Sequence, residues 1–385
     1  MGDSTKLRLT TRFTALDGLR GLAAMIVVIH HCLLVSQELA AAVHSDGTDE
    51  IEPWAWWATF TPLHLLWAGQ EAVYLFFILS GFVLMLPFLG DRAPGWASYY
   101  PRRLIRLYLP VWASVMLALF LAIIVPRTAS PSLSSWVNLH DEVPDVLGDM
   151  LLLGGTSLLN SPLWSLQWEV LFSLLLPFYL IVAIRVRRCW LLSILGLLAV
   201  IALGNTLYMS LPVFMPMFGI GVLMALGRKD LERWGRHLGH WAWTLMLVAA
   251  ALLLCARWLY PHLSVTIAFA AVGGVLVLFA FTAWQPTIRL GNQPILRWLG
   301  LRSFSIYLVH EPIILSVAFA FRSSDPIAVA LFAVPLSLVT AEIFFRLVER
   351  PSHRLASVVG RVVGNSPSRS EKAAFRSTAL TKFKL

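Results

Sequence analysis

Apolar runs long enough to cross a bilayer recur along almost the whole chain, separated by short polar segments. A membrane-spanning helix needs ~20 mostly apolar residues, and ten runs approach or exceed that length. The pattern therefore predicts an all-α polytopic membrane protein with about ten transmembrane helices. The predicted spans are approximately 14–36, 66–88, 104–125, 163–184, 189–204, 208–226, 240–260, 264–283, 300–321 and 327–348.

The composition supports this class of protein. Of the 385 residues, 58% are hydrophobic and 13% are charged, and the mean hydropathy is +0.73. The length is therefore better interpreted as a number of spans than as two soluble domains. The three cysteines, Cys32, Cys189 and Cys255, have no paired spacing. They favour neither a disulfide framework nor a zinc site, and no metal ligands are predicted.

Positive charge gathers in alternate segments between the predicted spans. The net charge is +9, yet the segments on one side contain only Arg127, Arg257 and Arg322. Cytoplasmic segments are enriched in Lys and Arg, so both termini are predicted to be cytoplasmic. The basic surplus is assigned to orientation and to contact with the lipid bilayer, not to nucleic acid. We expect a membrane-embedded domain over residues 1–354 and a basic, poorly ordered cytoplasmic tail over 355–385.

The first run, FTALDGLRGLAAMIVVIHHCLLV, carries Asp17, Arg20, His30 and His31 inside an apolar helix. Such groups are costly in a membrane and usually face a bundle interior. Eleven residues of about 100° each bring His31 to within about 20° of the face of Arg20, roughly 16 Å along the axis, whereas His30 points about 80° away. His31 is therefore the histidine aligned with Arg20. It either packs as a hydrogen-bonded membrane histidine or performs chemistry.

Three arginines, Arg102, Arg103 and Arg106, stand at the cytoplasmic entrance of the third span, in YYPRRLIRLYLPVW. Arg103 and Arg106 share a helix face. The arginines either contact lipid headgroups or form a clamp for phosphate groups, which guanidinium groups bind through paired hydrogen bonds. In the second span, the pair Ser80 and Gly81 either allows close helix packing or leaves room for a ligand.

The segment DVLGDMLLLGGTSLL at 145–159 is apolar but too short and too glycine-rich to be a span, and we expect it to be re-entrant or interfacial. It leads into the fourth span, where Glu169 lies about two turns inside and Ser165 shares its face. A carboxylate in that place needs a partner. Because the first helix runs outward and the fourth runs inward, His31 is predicted to be nearest to Glu169 in depth.

A second combination of histidine and carboxylate lies in the ninth span, LGLRSFSIYLVHEPII. Ser303, Tyr307 and His310 share one face, Glu311 follows directly, and Pro312 is expected to kink the helix. The group either joins helices as a polar patch or takes part in function. The sequence contains no GxSxG, Walker loop, HExxH or CxxC, so serine hydrolase, NTPase and common zinc chemistry have no local support.

Several separated stretches together resemble one family, the integral-membrane acyltransferase family 3. Four of them are LDGLRGLAA with Arg20, ten residues and His31; FFILSGF with Ser80 and Gly81; RRLIR with Arg103 and Arg106; and WSLQWE with Trp164, Ser165 and Glu169. SFSIYLVH, with Ser305, Tyr307 and His310, and ERP at 349–351 extend the resemblance over essentially all ten spans. Glu311 departs from the family pattern, because a less acidic residue is expected there.

Members of that family move acyl groups, mostly acetyl, from acyl-CoA onto hydroxyls of surface polysaccharides, lipid-linked sugars, peptidoglycan or macrolide antibiotics. The resemblance implies an O-acyltransferase of the bacterial plasma membrane, with acyl-CoA, most simply acetyl-CoA, as co-substrate and no permanently bound cofactor. The acceptor would be a hydroxyl-bearing glycan or a glycosylated small molecule. Catalytic roles are implied for His31, Glu169 and Arg20. Substrate-binding roles are implied for Arg102, Arg103, Arg106, Asp17, Ser80, Trp164, Ser165, Ser305, Tyr307 and His310.

The expected mechanism places the CoA phosphates on the three arginines and leads the pantetheine arm through about half of a ~30 Å hydrocarbon core toward His31. Neutral His31 takes the proton of the acceptor hydroxyl, and Glu169 orients His31 or stabilises its imidazolium. Arg20 binds the donor or stabilises developing negative charge. An acyl-histidine intermediate is the alternative to direct transfer. A proton-coupled transporter or flippase is the competing class, although the sequence shows no inverted repeat with paired broken helices.

Overall fold

The computed structural model describes residues 2–45, 47, 50–90, 93–141, 144–152 and 157–364, with side chains from residue 14 onward. Within these ranges all regular secondary structure is helical. The principal helices are α1 (Gly2–Leu33), α2 (Gly69–Met85), α3 (Trp96–Ile124), α4 (Leu163–Arg185), α5 (Trp190–Thr206), α6 (Ser210–Leu226), α7 (His240–Leu254), α8 (Thr266–Ala283), α9 (Ser303–Phe321), α10 (Pro326–Phe344) and α11 (Arg350–Gly364).

The prediction of an all-α polytopic membrane protein is confirmed. In the described part of the chain, eight helical segments are long and apolar enough to cross a bilayer. They lie in α1, α2, α3, α4, α5, α8, α9 and the continuous helix from α10 into α11. The helix α6 has 17 residues and continues into Arg228–His237 after a bend of 71°, and α7 has 15 residues. Each predicted span thus corresponds to one of the helices α1 to α10.

The last helix extends past residue 354, the predicted boundary between the membrane-embedded domain and the tail. A π-helical turn, Phe345–Glu349, joins α10 to α11. Residues 355–364, predicted as the start of the tail, are helical in α11. The remainder of that predicted tail, 365–385, lies outside the described residues.

Short helices fill the outer side of the bundle, meaning the side on which α1 ends and α2 begins. They are Gln37–His44, Pro53–Thr59 and Pro62–Trp67 before α2, and Ser135–Asn138, Leu139–Asp141 and Val146–Leu151 before α4. Tyr108 and Trp112 of α3 donate hydrogen bonds to the carbonyls of Leu151 and Met150, at 3.1 and 2.9 Å. Tyr108 lies sixteen residues before the end of α3, or about 24 Å. The segment therefore descends beside the middle of α3, as a re-entrant segment would; residues 153–156 are outside the described ranges.

The relative directions of three helices determine the site. His31 of α1 contacts His310 of α9, and both helices run outward. The helix α4 runs in the opposite direction, because Ser165 meets Tyr307 whereas Ser161, just before α4, meets Glu311 one turn further out. Residues of α4 and α9 can therefore be compared in depth, turn by turn.

Two glycines allow α2 and α6 to pack backbone against backbone. A Cβ at Gly81 would overlap the carbonyl of Phe218, and a Cβ at Gly221 would overlap the carbonyl of Ile78. Close packing is thus the observed role of Gly81, the first of the two interpretations of the Ser80–Gly81 pair. The crossing fixes the position of α2 against α6.

Replacing Gly81 with alanine is expected to lower the thermal unfolding midpoint in detergent by several degrees, because overpacking costs ~1–3 kcal/mol. The matched control is Gly196→Ala in α5, where an added Cβ meets no atom of the described residues within 4 Å. That variant should be neutral or slightly more stable, since alanine favours helix over glycine. Equal midpoints for the two variants would contradict the close crossing.

Candidate active site

A cavity of about 270 Å³ lies between α1, α2, α3, α4, α9 and the start of α11, and the part of α4 that lines it is its first, outer portion. Its lining combines apolar side chains with several charged groups. The predicted site residues that line it are Asp17, Arg20, Ser80, Arg103, Arg106, Ser165, Glu169 and Tyr307. The fold therefore brings residues from five helices, far apart in the sequence, to one chamber.

The charged groups of the cavity are largely paired with one another. Arg103 donates to the Glu169 carboxylate and, from Nε, to the Ser173 hydroxyl at 3.0 Å. Ser80 donates to the same carboxylate at 3.5 Å. Arg20 lies 4.0 Å from Asp17, one turn earlier on α1. The pairing leaves little net charge around Arg20 and Arg103.

Arg106 differs from the other cavity arginines. Arg106 is exposed, and it makes no ion pair within 4 Å with any of the described residues. It lies one turn beyond Arg103 on α3 and lines the cavity beside Glu349 and His353 of the opposite wall. Arg106 is therefore the cavity guanidinium group most available to a ligand that enters the cavity from solvent.

Arg102 corrects the expected clamp of three arginines. Neighbouring residues of a helix point about 100° apart, so Arg102 cannot face the same way as Arg103. Its side chain packs instead against α11, where a Cβ at Gly360 would overlap it. The structure places Arg102 outside the cavity lining.

The outer end of the cavity is closed by Ser165 and Tyr307. Their hydroxyl oxygens are 2.8 Å apart, and Tyr307 donates to the carbonyl of Pro162 at 3.0 Å. The Tyr307 ring lies 5.8 Å from that of His310, one turn further out. The histidines thus stand directly beyond the closed end of the cavity.

The hydrogen bonds of His31 and His310 define which ring nitrogens carry protons. Nδ1 of His310 lies 3.1 and 2.8 Å from the carbonyls of Ile306 and Tyr307, so it is a donor. Nε2 of neutral His310 is then an acceptor, 3.1 Å from Nδ1 of His31, which also lies 3.0 Å from the carbonyl of Val27. Nδ1 of His31 is therefore protonated and its Nε2 carries the free lone pair.

Glu311, not Glu169, is the carboxylate beside His31. The prediction that Glu169 orients His31 is wrong, because Glu169 is bound to Arg103 and lies about two turns, or ~12 Å, inward of Glu311 along α4 and α9. Oε1 of Glu311 lies 4.0 Å from Nε2 of His31. Glu311 is fully buried, and it accepts hydrogen bonds from the backbone N–H and the hydroxyl of Ser161.

Two tryptophans cover the histidines on the outer side. The ring of Trp67 stacks on His30 at 5.6 Å, and that of Trp136 lies 5.5 Å from His31. His30 donates from Nδ1 to the carbonyl of Trp67 at 2.9 Å. Trp67 is 2% exposed and Trp136 is 7% exposed, so both are part of the packed interior. The short outer helices therefore separate His31 from the outer surface.

Three other predicted residues lie near the cavity without lining it. Ser305 donates to Glu349 at 2.5 Å. Trp164 packs against Phe77 and Phe214, with ring centroids 6.3 and 5.2 Å away. His310, as described, supports His31. The first two hold the walls of the chamber, and the third contacts His31.

Sequence reasoning missed several residues of the site. Glu349 and His353 line the cavity, although only the ERP motif hinted at the first. Glu311 was visible as a buried charge beside His310 but had no assigned role. His140, 3.4 Å from Glu311, stands in an outer loop where nothing in the sequence distinguishes it. In the described ranges no cluster of three or more His, Cys, Asp or Glu side chains has an arrangement that could hold a metal ion.

Comparison with known proteins decides the family. A family profile described as an acyltransferase domain matches residues 13–346. The chain belongs to the integral-membrane acyltransferase family 3. It is thus a membrane O-acyltransferase, as the sequence resemblance implied.

Named relatives agree with this family. The chain is 28% identical to the acyltransferase MdmB of Streptomyces mycarofaciens, over 89% of this chain and 92% of the relative. It is 26% identical to the O-acetyltransferase PaAT-1 of Phomopsis amygdali, over 78% and 71%. It is 25% identical to YrhL of Bacillus subtilis, named as a candidate peptidoglycan O-acetyltransferase, over 87% of this chain and 54% of the relative. No solved structure matches the acyltransferase at a significant level.

Proposed function

We propose that this acyltransferase moves an acyl group, in the simplest case acetyl, from acyl-CoA to a hydroxyl of a sugar-containing acceptor in a bacterial plasma membrane. The observation that carries the proposal is the free Nε2 of His31, held by His310 one turn beyond a cavity that the exposed Arg106 lines. A histidine with a fixed tautomer and a free lone pair is suited to general-base catalysis. The relatives named as O-acetyltransferases support a hydroxyl acceptor.

The size of the cavity suits one part of the donor. At about 270 Å³ it is slightly smaller than most small-molecule sites. It would take the acyl-pantetheine end and leave the nucleotide at the exposed mouth beside Arg106. The positive-inside rule places this mouth in the cytoplasm, where acyl-CoA is made. Arg20 lies about 16 Å from His31 along α1, so it is assigned to the donor and not to the reacting carbonyl.

The transfer needs a general base, and it needs a group that stabilises the imidazolium formed when that base takes up a proton. Nε2 of His31 takes the proton as the acceptor oxygen bonds to the thioester carbonyl carbon. The carbon–sulfur bond then breaks, and the thiolate receives the proton from His31 and leaves as CoA–SH. Oε1 of Glu311, 4.0 Å from Nε2, carries partial negative charge and so favours the imidazolium that exists between these steps. For the thioester to reach His31, the contact between Ser165 and Tyr307 must open.

Measuring CoA release tests the function. The purified protein in lipid discs is supplied with acetyl-CoA and a panel of glycans and glycosylated small molecules, and free thiol is followed together with acceptor mass. Acceptor-dependent CoA release with a gain of one acetyl group is expected. The competing class, a proton-coupled transporter or flippase, predicts instead that sealed vesicles accumulate substrate without consuming acetyl-CoA.

Replacing Arg106 with alanine is expected to raise the KM for acetyl-CoA about fivefold to tenfold with kcat within about twofold, because a lost phosphate contact weakens binding of substrate and transition state alike. The matched control is Arg102→Ala, one turn away but outside the cavity, which should change KM less than about twofold. Equal effects of both variants, or a loss confined to folded yield, would return these arginines to a role in lipid contact.

A further inference from the structure

His140 is a buried histidine that the transfer mechanism does not use. It is 2% exposed and lies in the outer turn Leu139–Asp141. Its Nδ1 donates to the carbonyl of Trp136 at 2.8 Å. Its Nε2 is buried, makes no hydrogen bond to any residue that the structure describes, and lies 3.4 Å from Oε1 of Glu311.

The fixed Nδ1 donor limits the protonation of this pair. A neutral His140 with its proton on Nδ1 would direct the lone pair of Nε2 at an ionised carboxylate, which is repulsive. One additional proton removes the conflict, either on Nε2 of His140 or on Glu311. Each arrangement gives the pair a net charge of zero, and neither requires an isolated charge in the interior.

We infer that His140 and Glu311 share one proton, and that His140 is a positioning residue which neutralises the carboxylate beside His31. The inference rests on the proposed function in taking His31 as the base. The outer loop is then part of the site, because its His140 controls how much negative charge the Glu311 carboxylate presents to His31. His140 acts through Glu311 and does not touch the reacting atoms.

Other titratable groups face the pair from each packed element. From α1 and α9 they are His31, His30 and His310. From the outer loop they are Arg127, which donates to the carbonyls of Leu158 and Leu159, and Asp149, which accepts from Ser157. Burial lowers the pKa of Arg127 and the charge of Glu311 raises it, whereas burial raises the pKa of Asp149. Neither of these two lies within ion-pair distance of Glu311.

Removing His140 should make the base harder to deprotonate. With His140→Gln the carboxylate keeps its hydrogen bonds from Ser161 but loses the shared proton, so its full negative charge acts on His31. That charge favours the imidazolium, and the base becomes active only at higher pH. The acid limb of kcat/KM should therefore move upward by on the order of one pH unit.

The pH profile of kcat/KM is measured for the wild type, His140→Gln, Glu311→Gln and the double variant. In the Glu311→Gln background the His140 substitution should no longer move the acid limb. The control is His44→Gln, since His44 also donates from Nδ1 to a carbonyl four residues earlier, at 2.7 Å, in an outer helix. The inference is overturned if His140→Gln leaves the limb in place, or moves it equally when Glu311 is absent.

A stability cycle tests the shared proton without activity. At neutral pH each single variant should lower the thermal unfolding midpoint by several degrees, and the double variant should be no lower than the worse single variant. Additive losses would overturn the inference. If the wild type releases no CoA with any acceptor, the proposed function fails, while this cycle still decides whether the pair is coupled.

Discussion

Replacing His31 with glutamine is expected to reduce kcat for acyl transfer by ~10²-fold to 10⁴-fold, the usual contribution of a general base. The glutamine amide can still donate toward His310, so the packing of α1 against α9 is retained, but it has no basic nitrogen. Folded yield and donor KM should therefore stay close to those of the wild type. Acceptor-dependent CoA release, measured on protein that elutes as a single species, checks the result.

His30 provides the matched control for this experiment. It is adjacent in sequence, but it donates to the carbonyl of Trp67 and stacks on that ring. His30→Gln keeps a donor in that place and should retain most of the activity. Mild and equal losses at the two positions would remove His31 from the role of base.

Arg103→Gln and Glu169→Gln are expected to change the KM for acetyl-CoA in opposite directions. Arg103 and Glu169 form an ion pair in the wall of the cavity to which the proposed function assigns the polyanionic donor. Removing the arginine leaves a net negative charge that repels the phosphates, and removing the glutamate leaves a positive charge that attracts them. A charge some 8 Å away contributes ~2 kcal/mol at an effective dielectric constant of 20, so a change of about tenfold or more is expected in each direction.

Donor KM for both variants is measured at two ionic strengths, because the electrostatic part should shrink as salt increases. Both variants will also lose some stability, since each leaves one partner of a partly buried pair without the other. That shared loss cannot produce opposite changes in KM. If KM moves in the same direction for both, the pair supports the walls of the cavity and the donor charge is bound elsewhere.

The sequence alone predicts the helices and the group of arginines that line the cavity. Helical periodicity places Arg20 on one face of α1 and Arg103 and Arg106 on one face of α3, and these residues do line a common cavity. The apolar runs predict the ten helices to within a few residues at most ends. Helical periodicity and the length of apolar runs depend only on residues that are close in sequence, so both can be determined from a single sequence.

The partner of His31 could not be predicted in the same way. The sequence gives the depth of Glu169 along its own helix, but not how far α4 is shifted against α1 and α9. The outer segments bring Ser161 and His140 to Glu311, and the course of such segments cannot be derived from helical periodicity. Single polar residues in loops carry no periodic signal, so the residues that surround Glu311 can be identified only from the three-dimensional structure.

The tryptophans that cover His31 and His30 affect whether water or the acceptor hydroxyl attacks the thioester. Water is a competent acceptor for the same base and is far more abundant than any sugar hydroxyl. Trp67 and Trp136 close the outer side with apolar surface, and the contact between Ser165 and Tyr307 closes the inner side. His31, with 14% of its side chain exposed, is thereby largely shielded from water until a bulky acceptor displaces part of the enclosure. The enclosure thus favours transesterification over wasteful hydrolysis, and it makes the size of the acceptor itself a condition for turnover.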